Sequence, residues 1–517
     1  MSSKTLFLVL TILNTLPILL FHFYPSLDGP SHIYNSNLLR EILLHHNESL
    51  SQFFTINPNL VPNWSSHFIL LLFRFVFSSV VADKIFLLLL ALLLPYVVYL
   101  IINRFSPENR ILAVFALPFV YTYLFGLGFY NYCLGVTVFL GTLFFWLSRN
   151  KRLSILNSGI LLLLFQISFF THILIFILTF SSVGLYSLIK LLVHLRNKES
   201  IRKPSLEIML VILIGMPGIY LAWKYLAGWH APDLGSKLPF NELMKWILDA
   251  RSLIIHSYSA ESNFSRLIFF SAMCLLLYTT IKILLRKEIG TLTANPKKLF
   301  FGILSAILLL LYLTFPDASS GGSYISVRIN ILLYLIFFIW LSMFKYPLAF
   351  KRVIVVLILI ATVGLSFNNI QRLERYSKQI QRFNEAEKLV TKNSVILPIR
   401  NSGGMLDSHF SQYLGWKKPI VVLENFEATT MYYPLIWNPG GIPAVRLGDS
   451  VVTNVCLYNQ FPAASDDTVS IDYIISWGRD EMNECKNGIM QKVDQYYTLI
   501  YSEKDPDLSL YKLKPTK

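Results

Sequence analysis

The first apolar segment of this chain runs directly into the stretch Tyr24-Pro25-Ser26-Leu27-Asp28-Gly29-Pro30-Ser31-His32-Ile33-Tyr34-Asn35. Asp28 is the only acidic residue among the first forty. Because proline lacks a backbone donor and fixes φ, Gly29-Pro30 prevents a plain continuation of the first helix. If a new helix begins near Pro30, the Asp28 carboxylate and the His32 imidazole project toward one place. Two interpretations follow: a functional site, or a polar turn with a helix-capping Asp.

Composition places most of the chain in a membrane. Of the 517 residues, 54% are hydrophobic and 15% are charged, whereas soluble proteins carry about 25% charge. The net charge of +15 comes from short Lys and Arg clusters between apolar segments. Such clusters fix membrane orientation, so the charge does not indicate nucleic-acid binding. The four Cys show no metal-ligand spacing, and Cys456 and Cys485 in the polar C-terminal part are either a disulfide or two thiols.

Apolar segments recur along the chain, and most are long enough to span a core of about 30 Å. After an uncleaved first helix that ends near Phe23, they occupy residues 66–81, 84–103, 111–126, 131–148, 154–170, 173–193, 206–226, 264–284, 299–315, 327–344 and 353–369. The exception is 66–81, which is about 24 Å long as a helix and contains Arg74. If this segment lies at the interface, the basic clusters all fall on one side, the cytoplasm. The sequence therefore predicts eleven spanning helices, a cytoplasmic N-terminus and an external C-terminus.

On this topology most polar residues without positive charge lie outside. The external segments are the loop 25–82, the turn Gly126 to Asn131, the loop 227–263 with Trp229, His230, Asp233 and an amphipathic helix near Phe240 to Ile255, and the loop Pro316 to Arg328. His172 lies at an external helix junction, where it either faces a cavity or a partner side chain or is simply hydrogen-bonded to backbone. Arg328 starts an apolar helix after the Gly321-Gly322 turn. It is either a phosphate clamp helped by the helix N-terminus or a snorkelling interfacial side chain.

The composition changes after about Asn368. A charged helix-forming stretch, Arg372 to Lys392, is followed by apolar runs at 394–398, 419–423, 472–476, 497–501 and 508–512 that alternate with Gly, Pro and Asn. These runs are typical of strands. The fold class is therefore a mainly α polytopic membrane protein with about 11 transmembrane helices. It has a membrane domain, residues 1–369, and a small external α/β domain, residues 370–517.

This pattern resembles the C-type (GT-C) membrane glycosyltransferases. The shared features are a first helix ending in an external Asp at Leu27-Asp28, a long first external loop with a membrane-lying helix, basic residues inside and an external C-terminal domain. The resemblance implies transfer of a sugar from a polyprenyl-phosphate carrier to an acceptor, at the external face of the bacterial inner membrane. It also implies that Asp28 is the general base and that Arg328 holds the phosphate, with His32, Asn131 and His172 as further substrate-binding candidates.

The resemblance has one departure. Many relatives carry a second acidic residue in the external turn before the fourth helix, whereas this chain has Asn131 and no carboxylate there. The sequence therefore indicates no cofactor and no metal site, and it leaves a divalent metal open. Competing classes are a transporter or flippase of lipid-linked or amphiphilic substrates, which often shows two related halves, and a non-catalytic membrane assembly protein. If Asp28 is only a cap, His32 or an external residue such as His409 is the next candidate base.

Overall fold

The computed structural model describes residues 3–149, 154–228, 235–286, 295–319, 322–440, 470–478, 484–504 and 507–515. Its helices are α1 (Ser3–Leu13), α2 (Leu16–Leu19), α3 (Gly29–His45), α4 (Glu48–Ser51), α5 (Ser65–Arg74), α6 (Ser79–Phe105), α7 (Tyr123–Gly126), α8 (Tyr130–Ser148), α9 (Ile155–Thr171), α10 (Ile173–Arg196), α11 (Arg202–Ala227), α12 (Phe240–Leu248), α13 (Tyr258–Arg286), α14 (Pro296–Thr314), α15 (Ile325–Leu341), α16 (Leu348–Glu387), α17 (Phe426–Thr430) and α18 (Glu484–Tyr496). Its strands are β1 (Phe54–Ile56), β2 (Val395–Arg400), β3 (Val421–Val422), β4 (Leu435–Trp437), β5 (Tyr473–Trp477), β6 (Tyr497–Lys504) and β7 (Asp507–Leu513). Short 3-10 helices lie at Pro107–Ala116, Pro118–Val120, Arg251–Leu253, Met405–Asp407 and Phe410–Gly415.

Long apolar helices dominate the described part of the chain. Seven are long and apolar enough to cross a bilayer, namely α6, α8, α10, α11, α13, α14 and α16. Shorter apolar helical segments occupy Ser3–Leu19, α5, α9 and α15. Because such helices satisfy their own backbone hydrogen bonds, they are the elements that hydrocarbon tolerates. The predicted fold class, a mainly α polytopic membrane protein with a small C-terminal sheet, is confirmed.

Two apolar segments differ from their neighbours. The prediction of one spanning helix over 111–126 is wrong, because this region forms two 3-10 helices followed by the four-residue α7. Pro107 and Pro118 each start one of these 3-10 helices, where the missing backbone donor costs least. The other segment begins with α5, whose 10 residues extend only about 15 Å. That length is too short to cross the bilayer by itself, and the position of this segment at the membrane surface stays a prediction.

The chain forms two compact units. The first contains Met1–Pro17, Leu88–Gly126 and Tyr130–Gln371. The second contains Ile18–Leu87, Leu127–Phe129 and Arg372–Lys517. The second unit thus combines the long first loop with the C-terminal part, although the two are far apart in sequence.

Close helix contacts build the first unit. On α11, a Cβ atom at Gly215 would lie 2.3 Å from the Phe180 ring, and one at Gly218 would lie 2.5 Å from the Phe176 ring. Both phenylalanines belong to α10, so the two glycines let these helices approach closely. Small residues at helix contacts serve this purpose in membranes, where lipid tails give no hydrophobic reason for helices to associate.

Among the described residues of the second unit, the strands form two sheets. The five-stranded sheet has the order β3-β2-β5-β7-β6, with β2 parallel to both β3 and β5, and β7 antiparallel to both β5 and β6. Its strands coincide with the five apolar runs that the sequence predicts. In the second sheet, β1 pairs with β4 antiparallel, and Phe54 lies opposite Trp437 with the two rings stacked at 4.5 Å. This small sheet fastens the first loop to the C-terminal part inside the unit.

The membrane helix and the charged stem predicted near residue 370 are one element. Helix α16 runs without interruption through 40 residues, which corresponds to about 60 Å. On its charged half, Lys378 pairs with Glu374 four positions earlier at 2.8 Å. Such pairs support an exposed helix. The chain therefore leaves the predicted membrane segment without a turn.

Candidate functional site

Helix α3 begins immediately after Asp28, as the sequence predicts, and Pro30 lies in its first turn. Asp28 occupies the N-cap position with φ −90° and ψ −10°, yet its side chain makes no capping hydrogen bond. The residue is held instead through its backbone, because its N–H donates to the Leu127 carbonyl at 3.0 Å. The helix-capping interpretation therefore does not account for this buried carboxylate, which is 6% exposed.

Gly128 fits closely against the start of α3. Its φ of +76° is in the left-handed region, and an added Cβ would lie 2.5 Å from the Gly29 nitrogen and 2.8 Å from the Asp28 nitrogen. Any side chain would therefore clash with backbone atoms that cannot move away. The turn Gly126 to Asn131 thus contributes Gly128 to the fixing of Asp28.

Asp28 faces a buried imidazole that is backed by a second carboxylate. Its Oδ1 is 3.7 Å from His409 Nε2, and His409 Nδ1 is 2.6 Å from Glu424 Oε1. The His409 ring stacks on Phe426 with centroids 4.3 Å apart. Because Nδ1 donates to Glu424, Nε2 is the nitrogen turned to Asp28. The 3.7 Å gap is longer than a hydrogen bond, but catalytic contacts are often long before substrate binds.

Glu424 is itself firmly held. Ser411 Oγ donates to Glu424 Oε2 at 3.0 Å, and Gln412 Nε2 donates to the Glu424 carbonyl at 2.7 Å. Glu424 is fully buried. Since its orientation is fixed, it also fixes the His409 ring. Asp28, His409 and Glu424 are called the Asp28 relay below.

A second buried cluster lies one turn further along α3. His32 Nδ1 is 2.9 Å from Glu427 Oε1, His67 Nε2 is 2.7 Å from Glu427 Oε2, and the two nitrogens are 3.4 Å apart. The three side chains come from α3, α5 and α17, and none of the three residues is more than 2% exposed. These residues, the His32 cluster below, have donor atoms within 4.8 Å of one another. The sequence predicts that Asp28 and His32 project toward one place. In the structure they belong to two adjoining clusters.

The surroundings of the His32 cluster favour an ionised Glu427. Burial raises the pKa of the Glu427 carboxyl, but the adjacent His67 and His32 rings outweigh burial, so that pKa lies well below its usual value. Burial lowers the pKa of His32, whereas Glu427 and, more weakly, Asp28 raise it, and the net shift is upward. Asn35 Nδ2 also donates to Glu427 Oε2 at 2.5 Å. The carboxylate is therefore kept charged and oriented inside the unit.

Arg328 and His172 meet in the first unit. Arg328 lies in the first turn of α15, and its Nη1 contacts His172 Nε2. Its Nε donates to the Ser323 carbonyl at 3.0 Å, and its guanidinium lies 5.2 Å from the centroid of the Tyr132 ring. Tyr132 in turn donates its hydroxyl to the Arg328 carbonyl at 2.7 Å. Arg328 is 7% exposed, so a simple snorkelling role does not fit its position.

His172 serves both functions that the sequence left open. It is the N-cap residue of α10, where its Nδ1 accepts from the Leu174 N–H at 3.1 Å. Its other ring nitrogen contacts Arg328, and its ring meets Tyr132 edge to face at 5.4 Å. His172 is thus hydrogen-bonded to backbone at a helix junction and also contacts Arg328, the candidate phosphate clamp.

The helix N-terminus beside Arg328 is already occupied. Asp317 accepts hydrogen bonds from the Ile325 N–H through its carbonyl and from the Ser326 N–H through its carboxylate, both at 2.9 Å. The expectation that these backbone donors help Arg328 to bind an anion is therefore not supported. Gly322 exchanges two backbone hydrogen bonds with Ser319, while its neighbour Gly321 lies outside the described residues.

The structure describes fewer contacts for the remaining candidate residues. Asn131 is buried at the start of α8. Trp229, His230, Asp233 and Cys456 lie outside the described residues, as does the side chain of Cys485. The amphipathic helix predicted near Phe240 is present as α12.

Sequence reasoning missed four of the clustered residues as a group: His67, Glu424, Glu427 and the role of His409. A signal exists for three of them. His67 directly precedes the apolar run of α5, where a polar ring needs a buried partner. Glu424 directly follows the apolar run Pro419 to Leu423, and Glu427 lies three residues further on, where strand ends carry functional side chains in many α/β domains. What joins them to α3 is tertiary structure alone.

Comparison of the sequence with protein-family models and with curated proteins gave no match. Comparison of the structure gave a match along the whole chain to the crystal structure of ArnT from Cupriavidus metallidurans bound to undecaprenyl phosphate. The TM-score is 0.54 at 11% sequence identity, and the match covers 99% of this chain and 99% of that chain. An identity this low carries information about fold alone. This chain therefore has the fold of the GT-C membrane glycosyltransferases, as its sequence predicts.

Proposed function

We propose that this protein is an integral-membrane glycosyltransferase that moves a sugar from a polyprenyl-phosphate carrier to an acceptor. The observation that carries the proposal is the Asp28 relay. Asp28 is buried, makes no capping hydrogen bond and faces an imidazole that a second buried carboxylate orients. Burying carboxylates costs free energy, and such arrangements concentrate at functional sites. The fold shared with ArnT supports the same class of reaction.

In this proposal Asp28 is the general base. An acceptor hydroxyl gives its proton to the Asp28 carboxylate as its oxygen attacks the anomeric carbon of the sugar. The bond from that carbon to the carrier phosphate breaks, and its electron pair goes to the phosphate oxygen. The product has inverted configuration at the anomeric carbon. His409, held by Glu424, is placed to orient Asp28.

Arg328 is assigned the carrier phosphate from its own surroundings. A buried guanidinium keeps its charge and offers paired donors that match phosphate oxygens. Its Nε–H is fixed by the Ser323 carbonyl, and Tyr132 and His172 pack around the guanidinium. Tyr132 also lines a small apolar cavity with Leu90, Leu94, Phe119, Val136 and Ile331, among others. Apolar walls beside a buried cation suit a phosphate that is attached to a hydrocarbon chain.

The site is proposed to work at the external face of a bacterial inner membrane, with the N-terminus in the cytoplasm. This sidedness rests on the distribution of basic residues in the sequence. His32 and Asn131 remain candidates for substrate contact. The surroundings of His32 favour a positioning role, because both of its ring nitrogens already face protein groups, Gly128 O at 2.9 Å and Glu427 Oε1.

The test is a transfer assay with purified full-length protein, a radiolabelled synthetic polyprenyl-phosphate sugar and membrane extracts as acceptors. We expect label to leave the carrier with wild-type protein and to remain on it with Asp28→Asn. The exposed Asp494→Asn is a matched control, since it removes one carboxylate elsewhere in the second unit. Movement of intact carrier across vesicles without transfer would instead identify a transporter. Absence of both activities in a stable protein would favour an assembly role.

A further inference from the structure

The His32 cluster is not explained by the transfer reaction. Three donor atoms from three helices, His32 Nδ1, His67 Nε2 and one Glu427 oxygen, lie within 4.8 Å of one another in the interior of the second unit. Four ligands about 2.0–2.1 Å from a tetrahedral ion are about 3.3 Å apart. The two nitrogens are 3.4 Å apart, which is close to that spacing, whereas each lies nearer to a Glu427 oxygen, at 2.9 and 2.7 Å, so the carboxylate has to move outward slightly to share an ion.

The hydrogen bonds outside the cluster set the tautomer of His32. Its Nε2 is 2.9 Å from the Gly128 carbonyl oxygen, which can only accept. Nε2 therefore carries the proton, and in the neutral ring the lone pair is on Nδ1, which faces the cluster. Histidines that bind metals show this pattern, with the second ring nitrogen donating to a carbonyl or carboxylate.

His67 has equivalent outer contacts. Its ring also bonds to the backbone of Asn63, and its Nδ1 is 3.4 Å from Ser66 Oγ. This leaves Nε2 as the nitrogen that faces Glu427. Both imidazoles are thus oriented from outside so that the inner nitrogen of each faces Glu427.

Glu427 supplies the negative charge. Among the described residues, its Oε1 has no hydrogen-bond partner of good geometry, although it is fully buried and only 2.9 Å from His32 Nδ1. Its other oxygen is held by Asn35, whose side chain exchanges two hydrogen bonds with Asn425 at 2.7 and 3.2 Å. The carboxylate is therefore held from outside with both oxygens turned toward the two imidazoles.

We infer that His32, His67 and Glu427 bind one divalent transition-metal ion, with Zn²⁺ as the best match. Two imidazole nitrogens and a carboxylate are typical ligands of Zn²⁺ and leave a fourth position for water. Mg²⁺ and Ca²⁺ prefer all-oxygen sites and fit less well. Since the cluster is buried, the ion joins α3 to α5 and α17 and thereby holds the backbone that begins at Asp28. This inference does not depend on the sugar chemistry.

The first measurement is the metal content of purified full-length protein, with any affinity tag removed, after incubation with Zn²⁺ and dialysis. We expect about one Zn²⁺ per chain in wild type and little in Glu427→Gln or His67→Asn, because each substitution removes one of three ligands. His45→Asn is the matched control, since His45 lies on the same helix but its side chain is 49% exposed and outside the cluster. Equal Zn²⁺ in wild type and Glu427→Gln would place the ion elsewhere and overturn the inference.

The second measurement keeps the inference testable if the ligand variants misfold. Asn35→Ala leaves all three ligands in place but removes the donor that orients Glu427. We expect it to weaken Zn²⁺ binding by about 10–100-fold in competition with a chromophoric chelator. Co²⁺ in place of Zn²⁺ should give wild-type protein the visible d–d absorption of a four-coordinate ion. A stable wild-type protein that takes up neither Zn²⁺ nor Co²⁺ would show that the cluster is only a hydrogen-bonded His–Glu–His group.

Discussion

The two polar regions of this molecule hold buried charge in different ways. In the second unit, acids and imidazoles alternate: Asp28, His409 and Glu424 form one series, and His32, Glu427 and His67 form another. In the first unit, the Arg328 guanidinium is held by the Ser323 carbonyl, the His172 ring and the face of Tyr132. One region matches charge with charge, and the other surrounds a cation with polar and aromatic groups.

This difference suggests a division of labour. A carboxylate beside an imidazole can exchange or stabilise a proton, so the second unit is suited to acid–base chemistry. A guanidinium held by a carbonyl and aromatic groups keeps its positive charge, so it can attract an anion such as phosphate. The comparison therefore predicts that substitutions in the two units will change different kinetic constants.

The largest effect is expected from Asp28→Asn, which is nearly isosteric but cannot accept the proton. Loss of a general base lowers the rate about 10²–10⁴-fold, and Asp28→Glu, which moves the carboxylate by about 1 Å, should lose about 10²-fold. Single-turnover rates with saturating donor would measure both, with thermal stability checked alongside. Near-normal transfer by Asp28→Asn would make Asp28 a structural residue and would move the chemistry to another group.

Substitution of Arg328 should act mainly on the donor. Hydrogen bonds to charged groups contribute about 1.5–3 kcal/mol, so Arg328→Ala should raise the donor KM by about 10–100-fold. Arg328→Lys keeps the charge but loses the paired donors, and an intermediate value is expected. Steady-state kinetics over a range of donor concentrations would separate KM from kcat. Identical constants for all three proteins would show that Arg328 has no role in donor binding.

A smaller effect on rate is expected from Glu424→Gln, a positioning residue that acts through His409. The amide can still reach His409 but loses its charge, so kcat should fall about 10-fold, with little change in donor KM. Glu424→Asp should recover part of the loss, because it restores the carboxylate. A change in KM alone, or a loss of stability that explains the rate, would contradict a role in the Asp28 relay.

The smallest effect concerns stability alone. Tyr34 is fully buried on α3, where its hydroxyl donates to the Ile420 carbonyl at 2.9 Å and accepts from the Val422 N–H at 3.0 Å. Tyr34→Phe leaves that N–H unpaired and should destabilise the protein by about 1–3 kcal/mol without changing the rate per folded molecule. Thermal unfolding in detergent would measure it. An unchanged transition would mean that α3 is held mainly by its other contacts.

The sequence predicts the fold better than the site. Hydropathy and the five short apolar runs were sufficient for the helices and for the C-terminal strands, because burial in lipid or in a sheet leaves a local pattern. The apolar composition of 111–126 predicts one helix, but Pro107 just before this segment and Pro118 within it each start a separate 3-10 helix. Hydropathy alone does not show where a proline divides an apolar segment.

The site was only half predictable for a related reason. Asp28 and Arg328 stand out because each is a charge at the end of an apolar run. Nothing in the sequence near His67 or Glu427 indicates that these two residues are neighbours. Their contact depends on α5 and α17 both reaching α3. Contacts between residues hundreds of positions apart leave no periodic trace in one sequence. The Asp28 relay and the His32 cluster therefore emerge only in three dimensions.

The composition of the second unit has a consequence for how the protein is made. Asn35 and its hydrogen-bond partner Asn425 are separated by 390 positions, and β1 pairs with β4 across a similar separation in sequence. At about 5–20 residues per second, the ribosome needs about 20–80 s to supply the partner. Throughout that interval the newly made first loop is complete but unpaired, with an open strand edge and with acidic partners still missing from its histidines. Chaperones that guard exposed edges would be needed most for this loop, long before the last helix is inserted.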